Sequence, residues 1–335
     1  MTPLGRGVAL GTSAVTVPRL GLGTAPIGGL FSAVPAEIAS ATVLEAYRRD
    51  VRFFDTAPLY GFGVAERRLG EALAEVSRDS YVLATKVGRL LERRDAASRP
   101  LRAGEAAFRG APPLVPVFDF SAEAVRRSFG ESLERLGVDR IDLVHIHDPD
   151  DHEDDALEGA FPVLDGLRSE GVIGAIGVGM NQSEMLTRFV ERIDIDCVLI
   201  AGRYTLLDQS ANDALLRTCS ERGVSVIVGG VFNSGILADP RVGATYDYRP
   251  ADAEILARAE RIKGVCRDNG VPMRAAAVQF PRGHAAVATV LVGARSPEEV
   301  SDAVAMFDHD IPPSLWSDLK AAGLLQADAP TPGDR

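Results

Sequence analysis

Short apolar runs rich in Val, Ile, Leu and Ala alternate along the chain with longer stretches in which apolar residues recur every three or four positions. The runs predict strands at 20–24, 52–55, 81–86, 141–147, 175–178, 197–200, 224–228 and 287–292. The periodic stretches predict helices at 36–49, 65–76, 122–136, 183–193, 212–222 and 253–269. Strand then helix, repeated around eight strands, favours an α/β fold of the closed parallel (β/α)8 barrel type over an open doubly wound sheet. Punctuation agrees: Gly137, Gly223 and Gly270 stand where helix C-caps belong, each shortly before a strand. An open dinucleotide-binding sheet would want a GxGxxG turn early on, and GLGTAPIGG at 21–29 has Gly21 and Gly23 but Ile27.

One segment breaks the rhythm. Between the third and fourth strands lie residues 89–120, with six Arg before the Pro112–Pro113 pair, and a loop this long reads as a lid over the barrel mouth. A short N-terminal lead reads as a hairpin, and residues 326–335 as a flexible tail, leaving one barrel domain over 1–335. Length alone leaves the domain count open, because barrels of 335 residues commonly form one unit.

The net charge of -11 argues against a nucleic-acid surface, whose affinity comes from Lys and Arg. Three dispersed cysteines, Cys197, Cys219 and Cys266, argue against a disulfide framework or a zinc site and for a reducing compartment. The chain has neither a signal-like start nor eighteen consecutive apolar residues, so the expectation is a cytoplasmic protein with no membrane partner, monomeric or homodimeric.

In such a barrel the active site lies at the C-terminal strand ends. The polar residues there are Asp55 and then Tyr60 after strand two, Lys86 after strand three, His147 and Asp148 after strand four, and Asn181 after strand five. A Tyr is too weak an acid to exchange protons readily at neutral pH, but a neighbouring ammonium favours its phenolate. Lys86 is the expected source of that charge, Asp55 the group that orients Lys86, and His147 the group that bonds the substrate oxygen. Taken singly each has a structural reading: a turn Asp, a packing Tyr, a strand-end Lys that exits to solvent. His145 reads as a hydrogen-bonded core histidine and His152 as a solvated loop residue.

FDTAPLYG with GVAERRLGEAL behind it, then ATKVG, RLGVDRIDLVHIHDP, GVIGAIGVGMN and VLVGARSPEEV are similar in order and interval to the motifs of the aldo-keto reductases. The resemblance covers nearly the whole chain and implies a (β/α)8 barrel with a catalytic tetrad on Asp55, Tyr60, Lys86 and His147. It also implies a nicotinamide cofactor lying extended across the barrel mouth. Asn181 would hold the carboxamide, Val231, Phe232, Asn233, Ser234 and Gly235 would wrap the pyrophosphate, and Thr24, Gly293, Arg295, Glu299 and Asp302 would complete the contacts. Where the family often has Gln and Tyr beside the nicotinamide, this chain has Ala201 and Gly229. Where many members grip the NADP 2′-phosphate with Lys and Arg, it has Gly293 and Glu299, which implies NAD as the preferred cofactor with NADP possible.

VFDFS, IHDPDDH, GVGMN and AGRYTLLDQ resemble the branch of that family that oxidises sugar hemiacetals and pyridoxal to lactones. That resemblance implies a small-molecule sugar or aldehyde substrate, L-fucose or D-threo-aldose in type, with Asp148 as a substrate contact. The alternatives are a general NADPH-dependent aldehyde or ketone reductase and, in another class, a cofactor-binding regulatory subunit with slow turnover.

Overall fold

In the computed structural model, which describes residues 7–95 and 98–334, eight parallel strands close into a barrel. They are Leu20–Gly23, Phe53–Asp55, Val82–Val87, Leu143–His147, Ala175–Met180, Cys197–Ala201, Ser225–Gly229 and Val287–Gly293, taken in chain order around the barrel. Closure is made by the last strand pairing with the first, from Val290 opposite Leu20 to Gly293 opposite Gly23. Each strand lies within a few residues of its apolar run.

Helices Ala36–Arg48, Val64–Leu73, Ala122–Leu136, Ser183–Arg192, Leu215–Arg222 and Ala253–Asp268 form the periodic part of the outer layer. Their ends follow from local chemistry: Ser121 caps Ala122–Leu136 by accepting from the Ala124 N–H, and Gly137 closes it at φ 64°. Among the described residues, Pro297–Phe307 and Pro313–Ala321 also lie outside the predicted stretches, and two further helices have a physical reason to escape them. Phe161–Ser169 follows a π-helical turn at Ala156–Ala160 that shifts the repeat, and Met273–Gln279 is buried on nearly all sides, so it has no polar face to read.

The N-terminal hairpin, Val8–Ala9 against Thr16–Val17, closes the barrel floor. Its Leu10 and Val17 are buried with Phe53, Leu143, Ala175 and Ile227 inside the barrel. Segment 89–120 is more ordered than a loop: Arg89–Arg93 pairs antiparallel with Leu114–Phe118. The flexible tail expected over 326–335 is corrected as far as Asp334. Ala329 and Thr331 are buried, and the Asp334 carboxylate accepts from the Thr331 N–H at 2.7 Å and its hydroxyl at 2.8 Å. Arg335 lies outside the described residues. Also among the described residues, no helix is long and apolar enough to cross a membrane, and no group of three or more His, Cys, Asp or Glu is arranged to hold a metal ion.

One buried ion pair braces the wall beside the site. Glu66 is fully buried, takes Arg135 at 2.6 Å and accepts from the Thr85 hydroxyl at 2.7 Å, next to Lys86 on the third strand. Removing one partner of such a pair leaves the other charge buried and unmatched. Arg135→Ala is expected to cost roughly 3–5 kcal/mol in urea unfolding, and Arg135→Ala with Glu66→Leu less than that single change. Additive costs in the double variant would show that the pair does not act as a unit.

Candidate active site

Inward-facing residues alternate along a strand, so the barrel interior is built in layers. The lower layers hold Phe53, Ala84, Leu143, Ala175, Leu199, Ile227 and Leu291. One or two steps of that alternation further on come Asp55, Lys86, His147, Gly179, Ala201, Gly229 and Gly293. One side of the upper layer is therefore ionisable and the other is made of very small residues.

On the ionisable side, Lys86 donates to Asp55 Oδ1 at 2.6 Å and to the Thr56 carbonyl at 2.8 Å, and is only 1% exposed. Its Nζ lies 4.8 Å from the centre of the Tyr60 ring. His147 meets the same ring edge-on, with centroids 6.0 Å apart. Tyr60 is set by close backbone packing: a Cβ on Gly61, which sits at φ 62°, would lie 2.2 Å from the Gly28 carbonyl, and one on Gly28 would lie 2.9 Å from the Tyr60 carbonyl carbon. Only glycines allow the first and second connections to approach this closely.

The electrostatics correct one expectation. Tyr60 is not acidified at rest: burial pushes the phenol well above its ordinary range, and the charges of Asp55 and Asp148 push the same way against Arg89. The physical reason is burial first: a phenolate in this position would lose its solvation. Asp55 itself is raised by burial, with Lys86 opposing. His147 is held well below the ordinary histidine range by burial first, then by Arg89 and Lys86, and so stays neutral.

His145 is buried as expected but not hydrogen-bonded: neither ring nitrogen has a partner, and Nε2 stands 3.9 Å from Asp55 Oδ2, which also lacks one. His152 is not simply solvated, since its ring stacks on Phe118 at 5.3 Å. Asp148 lies beside His147, its Oδ2 3.6 Å from Nε2, in left-handed backbone at φ 44°. It also accepts from the buried Arg89, which rests on the Phe118 ring at 4.4 Å.

On the small side, Gly179 and Gly229 leave room for only a methyl group: a Cβ at either would sit in ordinary contact, no closer than 3.5 Å, with Leu199 and its neighbours. Ala201 lies beside them, and its carbonyl fixes Asn181, whose amide donates to it at 2.8 Å. Past Gly229, the backbone turns through left-handed conformations at Gly230, Asn233, Ser234 and Gly235. Asn233 donates to the Gly202 carbonyl at 3.1 Å, yet its buried Oδ1 has no partner. A wall of very small residues, a fixed amide at its edge and a turn with an unsatisfied polar atom fit an extended nicotinamide dinucleotide.

The remaining predicted contacts divide. Gly293 ends the last strand against Pro26, which a Cβ there would meet at 2.7 Å, while Val231 is buried and Phe232 packs against the core. Arg295 and Glu299 bind each other, through Nη2 to Oε1 at 2.9 Å and the Arg295 N–H to Oε2 at 2.8 Å, at the start of helix Pro297–Phe307. Two are corrected. The Thr24 hydroxyl is buried and donates to the Asp55 carbonyl at 3.0 Å, so it braces the first two strands. Asp302 is forked by Arg274 at 2.8 and 2.9 Å on the outer helices.

Residues 19–323 match the aldo/keto reductase family. The chain belongs to that family. Among curated relatives of this aldo/keto reductase, pyridoxal 4-dehydrogenase of Microbacterium luteolum is 40% identical, with 95% of this chain and 97% of that protein covered. D-threo-aldose 1-dehydrogenase of a Pseudomonas species is also 40% identical, covering 97% and 98%. Among solved structures, an aldo-keto reductase of Bacillus halodurans superimposes with a TM-score of 0.75 at 23% identity over 97% of both chains, a likeness of fold. Family membership makes the chain an oxidoreductase that uses a nicotinamide cofactor.

Sequence reasoning missed Arg89, Phe108, Phe31 and Tyr248, all near the mouth. Arg89 falls in the segment read as a lid, a reading that singles out none of its six arginines, although it directly follows the third strand and its Gly88. The three aromatics carry no local signal, because contacts between distant connections bring them together.

Proposed function

We propose that this enzyme is an NAD-preferring dehydrogenase that oxidises the hemiacetal of an aldopyranose, or of pyridoxal, to the lactone. The observation that carries the reading is the Arg89–Asp148 pair beside His147: a charged, hydrogen-bonding wall at the mouth suits a hydroxyl-rich ring and selects against simple apolar aldehydes. The names of the two relatives at 40% identity support the same substrate class.

Asp55, Tyr60, Lys86 and His147 act as the catalytic tetrad. Tyr60 takes the proton of the anomeric hydroxyl, and neutral His147 hydrogen-bonds the same oxygen and orients it. Asp55 and Thr56 fix Lys86 under the Tyr60 ring, where its ammonium favours the phenolate at the moment it forms. When bound, an oxidised nicotinamide would supply the acceptor for the C1 hydride and a positive charge that would lower the cost of the phenolate. Loss of the C1 hydride and the O–H proton leaves the lactone carbonyl. Asn181 and the turn 230–235 hold the cofactor. Protein in the cytoplasm meets both the sugar and NAD.

Glu299 sets the NAD preference. It neutralises Arg295, the nearby cation, and sets a carboxylate where a 2′-phosphate would need positive charge. The test mixes purified enzyme with NAD or NADP and L-fucose, D-arabinose, L-galactose or pyridoxal, and follows reduced-nicotinamide absorbance. Rapid NAD reduction with at least one of them is expected, and Glu299→Gln should narrow the NAD-over-NADP ratio about fivefold by releasing Arg295. Silence with every ring substrate, alongside brisk NADPH-dependent reduction of simple aldehydes, would replace the proposal with a general reductase.

A further inference from the structure

Above the acid–base layer runs a wall of aromatic rings that hydride and proton transfer do not use. Phe108, from the segment after the third strand, stacks on Tyr60 with centroids 6.1 Å apart and tilts against Phe62 at 6.3 Å. Leu30 makes a β-bridge with Phe108, and the N–H of Phe31 donates to the Ala107 carbonyl at 2.9 Å. Phe31 in turn meets Tyr248, centroids 5.9 Å apart and planes 36° from each other. Rings from the first, third and seventh strand-to-helix connections thus form one surface leading to Tyr60.

The two outer rings are the unusual ones. Phe31 is 37% exposed and Tyr248 47%, and both sit in left-handed backbone, at φ 64° and 62°. Bulky side chains adopt that conformation only where their surroundings enforce it. Asp247 and Tyr248 form the two-residue turn between Thr245–Tyr246 and Arg249–Pro250, with positive φ at both positions. Such turns strongly favour glycine second, so a tyrosine there carries a conformational cost that the hairpin does not need for its own folding.

The hairpin is also tied down. Arg203 forks Asp247 at 2.8 and 3.1 Å, and the Thr245 hydroxyl donates to the Ser234 carbonyl at 2.8 Å. Tyr60 and Asp148 lie close enough to act on the Tyr248 hydroxyl through charge, so the phenol is on the same side of the mouth as the acid–base layer.

We propose that Phe31 and Tyr248 form the outer jaw of the substrate site and take the flat face of a six-membered ring, while Tyr60, His147 and Asp148 meet its oxygens. The inference rests on the hemiacetal reading above. A pyranose offers a face of C–H groups and pyridoxal a π face, and both stack on aromatic rings; an open-chain aldehyde offers neither.

The experiment compares wild type, Tyr248→Phe and Tyr248→Ala in two assays. The first is KM for L-fucose, for pyridoxal and for the open-chain aldehyde methylglyoxal. The second is saturation-transfer NMR of the sugar and of pyridoxal with enzyme and reduced cofactor, a mixture that lacks the hydride acceptor and so reads contact without ring oxidation. Tyr248→Ala is expected to raise KM for the ring substrate about tenfold more than for methylglyoxal and to weaken transfer to its ring protons, and Tyr248→Phe to restore both. Which ring responds, sugar or pyridoxal, identifies the occupant. Equal losses for ring and open-chain substrates, or undiminished transfer in Tyr248→Ala, would overturn the jaw. Transfer to a ring that wild type binds but does not oxidise would keep the jaw and sink the dehydrogenase reading, whereas no transfer to any ring in wild type would overturn both.

Discussion

Tyr60→Phe should lower kcat by about 10²–10⁴-fold, the usual contribution of a positioned proton-transfer group, with KM for the cofactor little changed. The change removes one oxygen and leaves the ring that Lys86, Phe108 and His147 pack against, so the fold should survive and the loss can be assigned to the proton. The pH dependence follows from the same site. A phenol held well above its ordinary range keeps its proton at neutral pH. Sugar oxidation needs the deprotonated form and should therefore climb from pH 7 to pH 10 with no plateau near 7. The reverse reduction needs the protonated form and should stay flat over that window. His147, held well below the ordinary histidine range, should add no limb near its usual midpoint. If both directions fell together as pH dropped through about 6.5, the ordinary histidine value, His147 would be titrating and its assignment as a neutral hydrogen-bonding group would fail.

How far the sequence leads depends on the range of the interaction that sets each feature. Barrel strands and most helices were legible because they follow period-two and period-3.6 patterns within a few residues. Asp55, Lys86 and His147 were legible for a related reason: each ends an apolar strand, where a charge or imidazole has no structural use unless something partners it. Phe31, Phe108 and Tyr248 were not, because their role comes from contacts among connections far apart in sequence. The Tyr60 error has another origin. Residue types alone put a cation near a phenol, but only geometry reveals how strongly burial and the nearby carboxylates of Asp55 and Asp148 oppose the phenolate. His145 shows the same limit, since a buried imidazole implies partners and the structure gives it none closer than a carboxylate oxygen at 3.9 Å.

Breaking the Asp55–Lys86 pair should separate stability from catalysis. The two side chains are 3% and 1% exposed, so Asp55→Leu strands an ammonium in the barrel with only the Thr56 carbonyl as acceptor. A cost of roughly 3–5 kcal/mol in urea unfolding is expected, and Lys86→Met should be similarly costly because it leaves a buried carboxylate. The double variant Asp55→Leu with Lys86→Met holds no unmatched charge and should recover most of that loss, since apolar replacement of a whole buried pair is often neutral. All three should be nearly inactive, because each lacks the ordered ammonium beneath Tyr60. The sign of the pH effect gives an independent check. A stranded buried ammonium binds its proton less tightly than one in the unfolded chain, so the unfolded state carries more protons and stability rises with pH. The deficit of Asp55→Leu should therefore be greatest at pH 7 and shrink toward pH 10, while the double variant shows no such trend. Equal stabilities for all four proteins at pH 7 would mean that water reaches the pair. Restored activity in the double variant would show that Tyr60 works without the ammonium.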